Sequence, residues 1–180
     1  MLIDDLKLMK PGDVFRTENG FRYLVLENNY KTIKNNICLF DFNCCSYTMF
    51  DEDKGNYKES YIKHHLDSKL DDRQVDFHNK IIKHKVDLTT MGGETDLGFT
   101  DEYLSPMTID QFRKYRRILD KYADNYFSDD GFWLCTKHSL SDEDYSQDVM
   151  YVYQNGLIFS TSCYCEKDLY AYFEVTFNEI

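Results

Sequence analysis

Cysteine and histidine are the side chains in this sequence best suited to bind a metal or attack an electrophile. Cys163-Tyr164-Cys165 and Cys44-Cys45 could supply thiolates, and His64-His65 could add imidazoles. Structural zinc favours repeated C-x2-4-C spacings, which a C-x-C pair and a C-C pair do not provide. On a strand, Cys163 and Cys165 would share one face, which keeps metal geometrically open but unfavoured. We therefore expect no metal and no cofactor. Cys135 and His138 form the one close Cys/His pair. Three residues apart on a continuing strand, they would sit on opposite faces. No G-x-S-x-G turn or local cysteine signature accompanies them.

Asp129-Asp130 and Asp142-Glu143-Asp144 are flanked by polar residues. They read as solvated loops rather than as desolvated acids with raised pKa. Gly92-Gly93 has no following Lys-Ser/Thr and no G-x-G-x-x-G spacing, so it reads as a turn and not as a phosphate cradle. No catalytic residue is expected, and the chain does not read as an enzyme.

Two groups remain. Arg113, Arg116 and Arg117 could meet phosphates or an acidic partner, although pairing with the protein's own acids is the commoner outcome. Tyr151 and Tyr153 share one strand face, Tyr172 lies on the last strand, and Tyr145, Tyr164 and Tyr170 adjoin them. Tyrosine offers a large, stiff contact area with a polar tip, which interfaces favour. The plainer alternative is a half-buried sheet with hydroxyls at its edge. With Asp142, Glu143, Asp144 and Asp148, these tyrosines make a candidate surface for a basic protein. A tyrosine-rich face could equally be the seam of a homodimer.

The 180 residues suit one domain, 1–180, and 42% hydrophobic content supports a real core. Aromatic residues at 16% exclude a disordered chain. No apolar run approaches the ~20 residues of a membrane span. Met1 to Lys10 alternates charge with Leu and has no apolar stretch, so no signal peptide is read there. These features imply a cytoplasmic protein whose cysteines stay free. The net charge of -11 excludes ordinary phosphate-backbone binding over a broad surface. From Asp120 to Ile180, 12 acids face three bases, so this third carries -9 of the -11. Such an asymmetry is either a solubilising face or a surface that meets a basic partner.

The elements that would position these residues follow from pattern. Residues 1–10 could form a short N-terminal helix before the Pro11-Gly12 turn. Phe21 to Glu27 reads as a strand with both faces covered, and Ile37 to Asn43 as a second. Ser60 could cap a helix through Leu70, with Ile62, Leu66 and Leu70 as its buried stripe. Ile81 to Leu88 reads as a short strand and Thr89 to Tyr103 as a loop. Thr108 and Gln111 predict a capping box before a helix with Phe112, Tyr115, Leu119 and Tyr122 on one face. Residues 132–178 read as an acidic, tyrosine-rich all-β region. In it, Val149 to Tyr153 and Leu157 to Thr161 form a hairpin joined by Gln154-Asn155-Gly156, with Asn-Gly at its tip suited to a type I′ turn. Ala171 to Phe177 reads as a final strand with Tyr172 pointing outward. The fold class expected is α+β, mostly antiparallel sheet with two or three helices.

Several stretches, in order, carry a resemblance. They are Lys10-Pro11-Gly12-Asp13-Val14-Phe15, Glu59-Ser60-Tyr61-Ile62, Val86-Asp87-Leu88-Thr89-Thr90, Leu104-Ser105-Pro106-Met107-Thr108, Phe112-Arg113-Lys114 and Gly131-Phe132-Trp133-Leu134. Their order and spacing resemble a phage- and prophage-associated domain of unknown function with a C-type-lectin-like fold. Such domains close on a Gly-Val-Arg-Pro-like segment, whereas this chain has Asp168-Leu169-Tyr170-Ala171-Tyr172-Phe173. The carbonyl-and-carboxylate loop and Trp-Asn-Asp-type strand of calcium-binding lectins are absent from the sequence. The resemblance implies a phage or mobile-element accessory protein in a bacterial host. The function expected is non-catalytic binding of a host protein, in the manner of an anti-CRISPR-like counter-defence inhibitor. The alternative is a lectin-like recognition module for a glycan or small ligand.

Overall fold

In the computed structural model, residues 3–52, 55–123, 127–141 and 146–178 are described. After a 3-10 turn at Ile3–Leu8 come β1 (Val14–Arg16), β2 (Arg22–Asn28) and β3 (Asn36–Met49). Two short helices follow, α1 (Tyr61–Asp67) and α2 (Leu70–Asp76). Next are β4 (Ile81–Ile82), β5 (His84–Asp87), β6 (Phe99–Glu102) and α3 (Ile109–Leu119). The chain then runs through β7 (Phe132–Lys137), β8 (Asp148–Val152), β9 (Ile158–Ser162) and β10 (Glu166–Thr176). The main sheet has the order β1-β2-β3-β10-β7-β8-β9, and β4 also pairs with β10. Its pairings are antiparallel except β10 with β7, which is parallel. β5 and β6 form a separate two-stranded sheet. The expected α+β class is the observed one.

Burial on both faces of the sheet follows from side-chain alternation. Tyr23, Val25, Ile37, Leu39, Ala171, Phe173 and Val175 pack on one face with Ile62 and Leu66 of α1, Phe77 after α2, and Val86 of β5. Leu24, Leu26, Cys38, Phe40, Tyr170 and Tyr172 pack on the other with Phe112, Tyr115 and Leu119 of α3. The predicted capping box is present. Thr108 N–H donates to Gln111 Oε1 at 2.8 Å, and Gln111 N–H donates to Thr108 Oγ1 at 3.1 Å.

Four expectations need correction. The helix from Ser60 does not run to Leu70. It stops at Asp67, and Leu70 opens α2. The restart carries Arg73 to the sheet, where its Nε donates to Asp41 Oδ2 at 2.7 Å with both side chains buried. Ile81 to Leu88 is two strands, because β4 joins the main sheet and β5 leaves it for β6. Thr89 to Tyr103 is not all loop. Phe99-Thr100-Asp101-Glu102 forms β6 through its pairing with β5. Tyr172 does not point to solvent. It is 3% exposed, under α3, and its hydroxyl donates to Glu174 Oε1 at 2.9 Å. In the central strands of a sheet covered on both sides, successive residues are buried on opposite faces, so alternation alone cannot mark a surface.

Candidate functional site

The β8–β9 hairpin carries two exposed aromatic side chains, Tyr153 and Phe159, beside the half-buried Tyr151. Gly156 N–H donates to Tyr153 O at 2.8 Å, and Tyr153 N–H donates to Leu157 O at 2.8 Å. Within this turn only Gly156 has a positive φ, 74°. The turn is therefore not the expected type I′. It is a three-residue loop of a type I turn followed by a left-handed glycine, the arrangement that closes with a bulge. A Cβ on Gly156 would stand 2.9 Å from Asp120 Oδ1, so the tip is packed against the end of α3.

That loop length sets the register, which pairs Tyr151 with Phe159 and Val152 with Ile158. Tyr151 meets Trp133 edge-on at 6.4 Å between ring centroids and lies 6.0 Å from Phe159. Phe159 in turn meets Tyr153 at 6.4 Å. Trp133 anchors the group. Its Nε1 donates to Thr48 O at 2.8 Å, and its ring meets Phe50 at 5.5 Å. Tyr151, Tyr153, Asn155 and Phe159 line an open groove of about 290 Å³. Tyr153 and Phe159 are 38% and 45% exposed. The Lys167 ammonium sits 4.6 Å from the Tyr151 ring centre, so one of these rings already receives a cation. Burial, with Tyr153 second, raises the Tyr151 hydroxyl pKa and keeps it neutral.

The predicted residues divide. Tyr151 and Tyr153 come together as expected, and Asp148 opens β8 opposite Ser162. Tyr172 does not belong to this surface. Asp142, Glu143, Asp144 and Tyr145 lie outside the described residues. Arg113 pairs with Asp110 at 3.5 Å and Arg116 with Asp120 at 3.5 Å, while Arg117 is exposed. The first two are therefore engaged by the protein's own acids.

His65 Nε2 lies 2.9 Å from Cys45 O, so two of the predicted groups meet through a backbone carbonyl and not a thiolate. Cys163 is buried in the turn after β9 and Cys165 is exposed, so the two do not share a strand face. Among the described residues, no group of three or more His, Cys, Asp or Glu could hold a metal. Burial pushes the Cys135 thiol far up and the Cys38 thiol up to about 11, which disfavours the nucleophilic thiolate at either position.

Sequence reasoning missed two polar arrangements. His84 Nε2 lies 2.9 Å from Ser105 Oγ, both buried, and its ring meets Tyr172 edge-on at 4.9 Å. Burial pushes this histidine down to about 4 and its Nδ1 has no hydrogen-bond partner, so it is a neutral core side chain near pH 7. Glu94 gathers the segment Ser139–Ser141. It accepts from Leu140 N–H at 2.8 Å, Ser141 N–H at 2.8 Å, Ser141 Oγ at 2.6 Å and Ser139 Oγ at 3.1 Å. These donors, with Thr90 Oγ1 at 2.6 Å, hold its carboxyl down at about 2. Neither arrangement has a local sequence signal, since the partners are 21 and 45 to 47 residues apart.

Among the described residues, no helix is long and apolar enough to cross a membrane. No family model, curated protein or solved structure matches this chain.

Proposed function

We propose that this chain is a non-catalytic binding protein whose β8–β9 hairpin takes a basic partner protein. The observation that carries this reading is the open aromatic groove of Tyr151, Tyr153 and Phe159. Aromatic faces attract ammonium and guanidinium groups, and Lys167 over Tyr151 is an internal instance. The surrounding third of the chain carries -9 of the net -11, which would steer a basic protein toward the groove. Inhibition of a host nucleic-acid-binding effector is the biological role that this charge and the phage-domain resemblance favour.

The test is capture from a nuclease-treated bacterial lysate at low and high salt, followed by affinity measurement with the purified partner. Tyr153→Ala with Phe159→Ala should weaken binding by about 30-fold, the loss of one hot spot of roughly 2 kcal/mol. An unchanged affinity in the double variant rejects the groove as the contact. The Asn155 amide beside aromatic faces favours a second reading, a glycan stacked on the groove. A glycan array without a binder, with and without calcium, rejects that reading.

A further inference from the structure

The two ends of the main sheet differ in how they meet solvent. Exposed strand edges are ordinarily blunted by brevity, charge, proline or a bulge. β1 is three residues long and ends on the exposed Arg16. β9 has none of these devices. Ile158-Phe159-Ser160-Thr161-Ser162 carries no charge and no proline, and its pairing with β8 runs without a register shift. The uncharged stretch continues from Leu157 through Cys165, with Leu157, Phe159 and Tyr164 all exposed.

The backbone groups at this edge can be assigned. Leu157 O accepts from Tyr153 N–H at 2.8 Å, and Cys163 N–H donates to Gln147 O at 3.0 Å. In an antiparallel pair such residues alternate with residues whose backbone points away. Ile158, Ser160 and Ser162 therefore turn N–H and C=O outward. Ser162 O is taken by Cys165 N–H at 2.9 Å. That leaves three donors and two acceptors in a row along an open edge.

We propose that β9 accepts an extended, lysine- or arginine-bearing segment as an added strand, an inference that rests on the basic partner proposed above. Backbone pairing supplies the affinity and alternate side chains the specificity. Side chains of the added strand on the groove side would stand beside Leu157, Phe159 and Thr161. A cation there meets the Phe159 face as Lys167 meets Tyr151. Charge selects against a second copy as the occupant, because two chains of -11 repel.

The experiment is an amide-resolved NMR titration of the whole chain with a capped heptapeptide alternating lysine and valine. A glutamate-for-lysine version and a fully N-methylated version serve as controls. The lysine peptide should shift and protect the amides of Ile158, Ser160 and Ser162. N-methylation should weaken binding by about tenfold or more, the equivalent of ~1.4 kcal/mol. Ser160→Pro should do the same, since it removes only an outward donor and leaves the β8 pairing intact. Failure of the lysine peptide to bind overturns the proposal, and so does equal binding of the glutamate peptide. Binding weakened by Phe159→Ala but indifferent to N-methylation and Ser160→Pro overturns strand addition while leaving the aromatic groove reading standing. A dimer without peptide that Ser160→Pro dissolves overturns it in favour of a second copy.

Discussion

The buried pair Arg73–Asp41 makes the most quantitative prediction. Asp41 is fully buried in β3 and Arg73 is 4% exposed, with the guanidinium stacked 3.8 Å from the centre of the Phe21 ring. Asp41 Oδ1 accepts from the Asn43 N–H at 2.8 Å and from the Asn43 amide, while Oδ2 accepts from Arg73 Nε. Burial holds the Asp41 carboxyl above its usual range, and Arg73 and Asn43 pull against it. Arg73→Met removes the cation but keeps much of the stem that covers Phe21. Breaking a buried pair costs about 3–5 kcal/mol. Because both Asn43 donors remain, the lower end applies, ~3 kcal/mol. For a domain of this size that lowers Tm by about 6–12 °C.

Thermal unfolding followed by circular dichroism measures the shift. The cost should shrink in acid. Without Arg73, the folded pKa of Asp41 lies further above its unfolded value, so the penalty is full above the folded pKa and fades as pH falls through it. Asp41→Asn combined with Arg73→Met leaves no buried charge and should recover at least ~1 kcal/mol. An Arg73→Met shift below about 2 °C, or a cost that does not change with pH, would refute this account of the pair.

Three further outcomes follow from the geometry. His84 titrates near 4 when folded against 6.5 ordinarily, so it favours folding fully above 6.5 and loses that contribution as pH falls toward 4. The loss amounts to about 3 kcal/mol, and His84→Phe should flatten the wild-type difference in urea midpoint between neutral and acid buffer; an unaltered difference would contradict it. Glu94→Gln should lower the hydrogen-exchange protection factors of the Leu140 and Ser141 amides, and lowering the pH through the carboxylate range toward 2 should do the same in the wild type once the intrinsic rate at each pH is divided out, because the ionised form is the one held. Unchanged protection in both arms would remove Glu94 as the organiser of this segment. Gly131 has φ 77°, and an added Cβ would lie 2.2 Å from Val152 O, so Gly131→Ala should destabilise by roughly 2–3 kcal/mol in chemical denaturation. A neutral result would show that the β7–β8 junction yields.

Local chemistry was readable from sequence where the partners are close along the chain. Thr108 and Gln111 announce α3 because a capping box is a four-residue event, and Tyr23-Leu24-Val25-Leu26 announces a strand covered on both sides. The same double coverage defeated the reading of Tyr172, since polar-looking and apolar positions are both buried when helices lie on each face. β6 was missed because its polar residues become a strand only through β5. At the candidate site, Tyr151 and Tyr153 were visible as neighbours on one strand. Phe159 falls opposite Tyr151 with the strand bounds read from the sequence, but an apolar residue on a strand carries no signal of its own that it belongs to a surface. A glycine at 156 suits both the expected type I′ turn and the observed type I turn with a left-handed glycine, so the turn type was not legible.

The central position of β10 bears on how the chain folds. It joins β3 on one side and β7 on the other, so β1-β2-β3 and β7-β8-β9 are neighbours in the sheet only through it. Of the strands described, it is also the last to leave the ribosome. Until Glu166 to Thr176 has been made, the two halves have no common ladder, and β3 keeps an unpaired edge of 14 residues. A chain built this way closes its core over large sequence separations, which slows folding. From the completion of β9 until β10 is inserted, the nascent chain holds two incomplete sheets awaiting one strand.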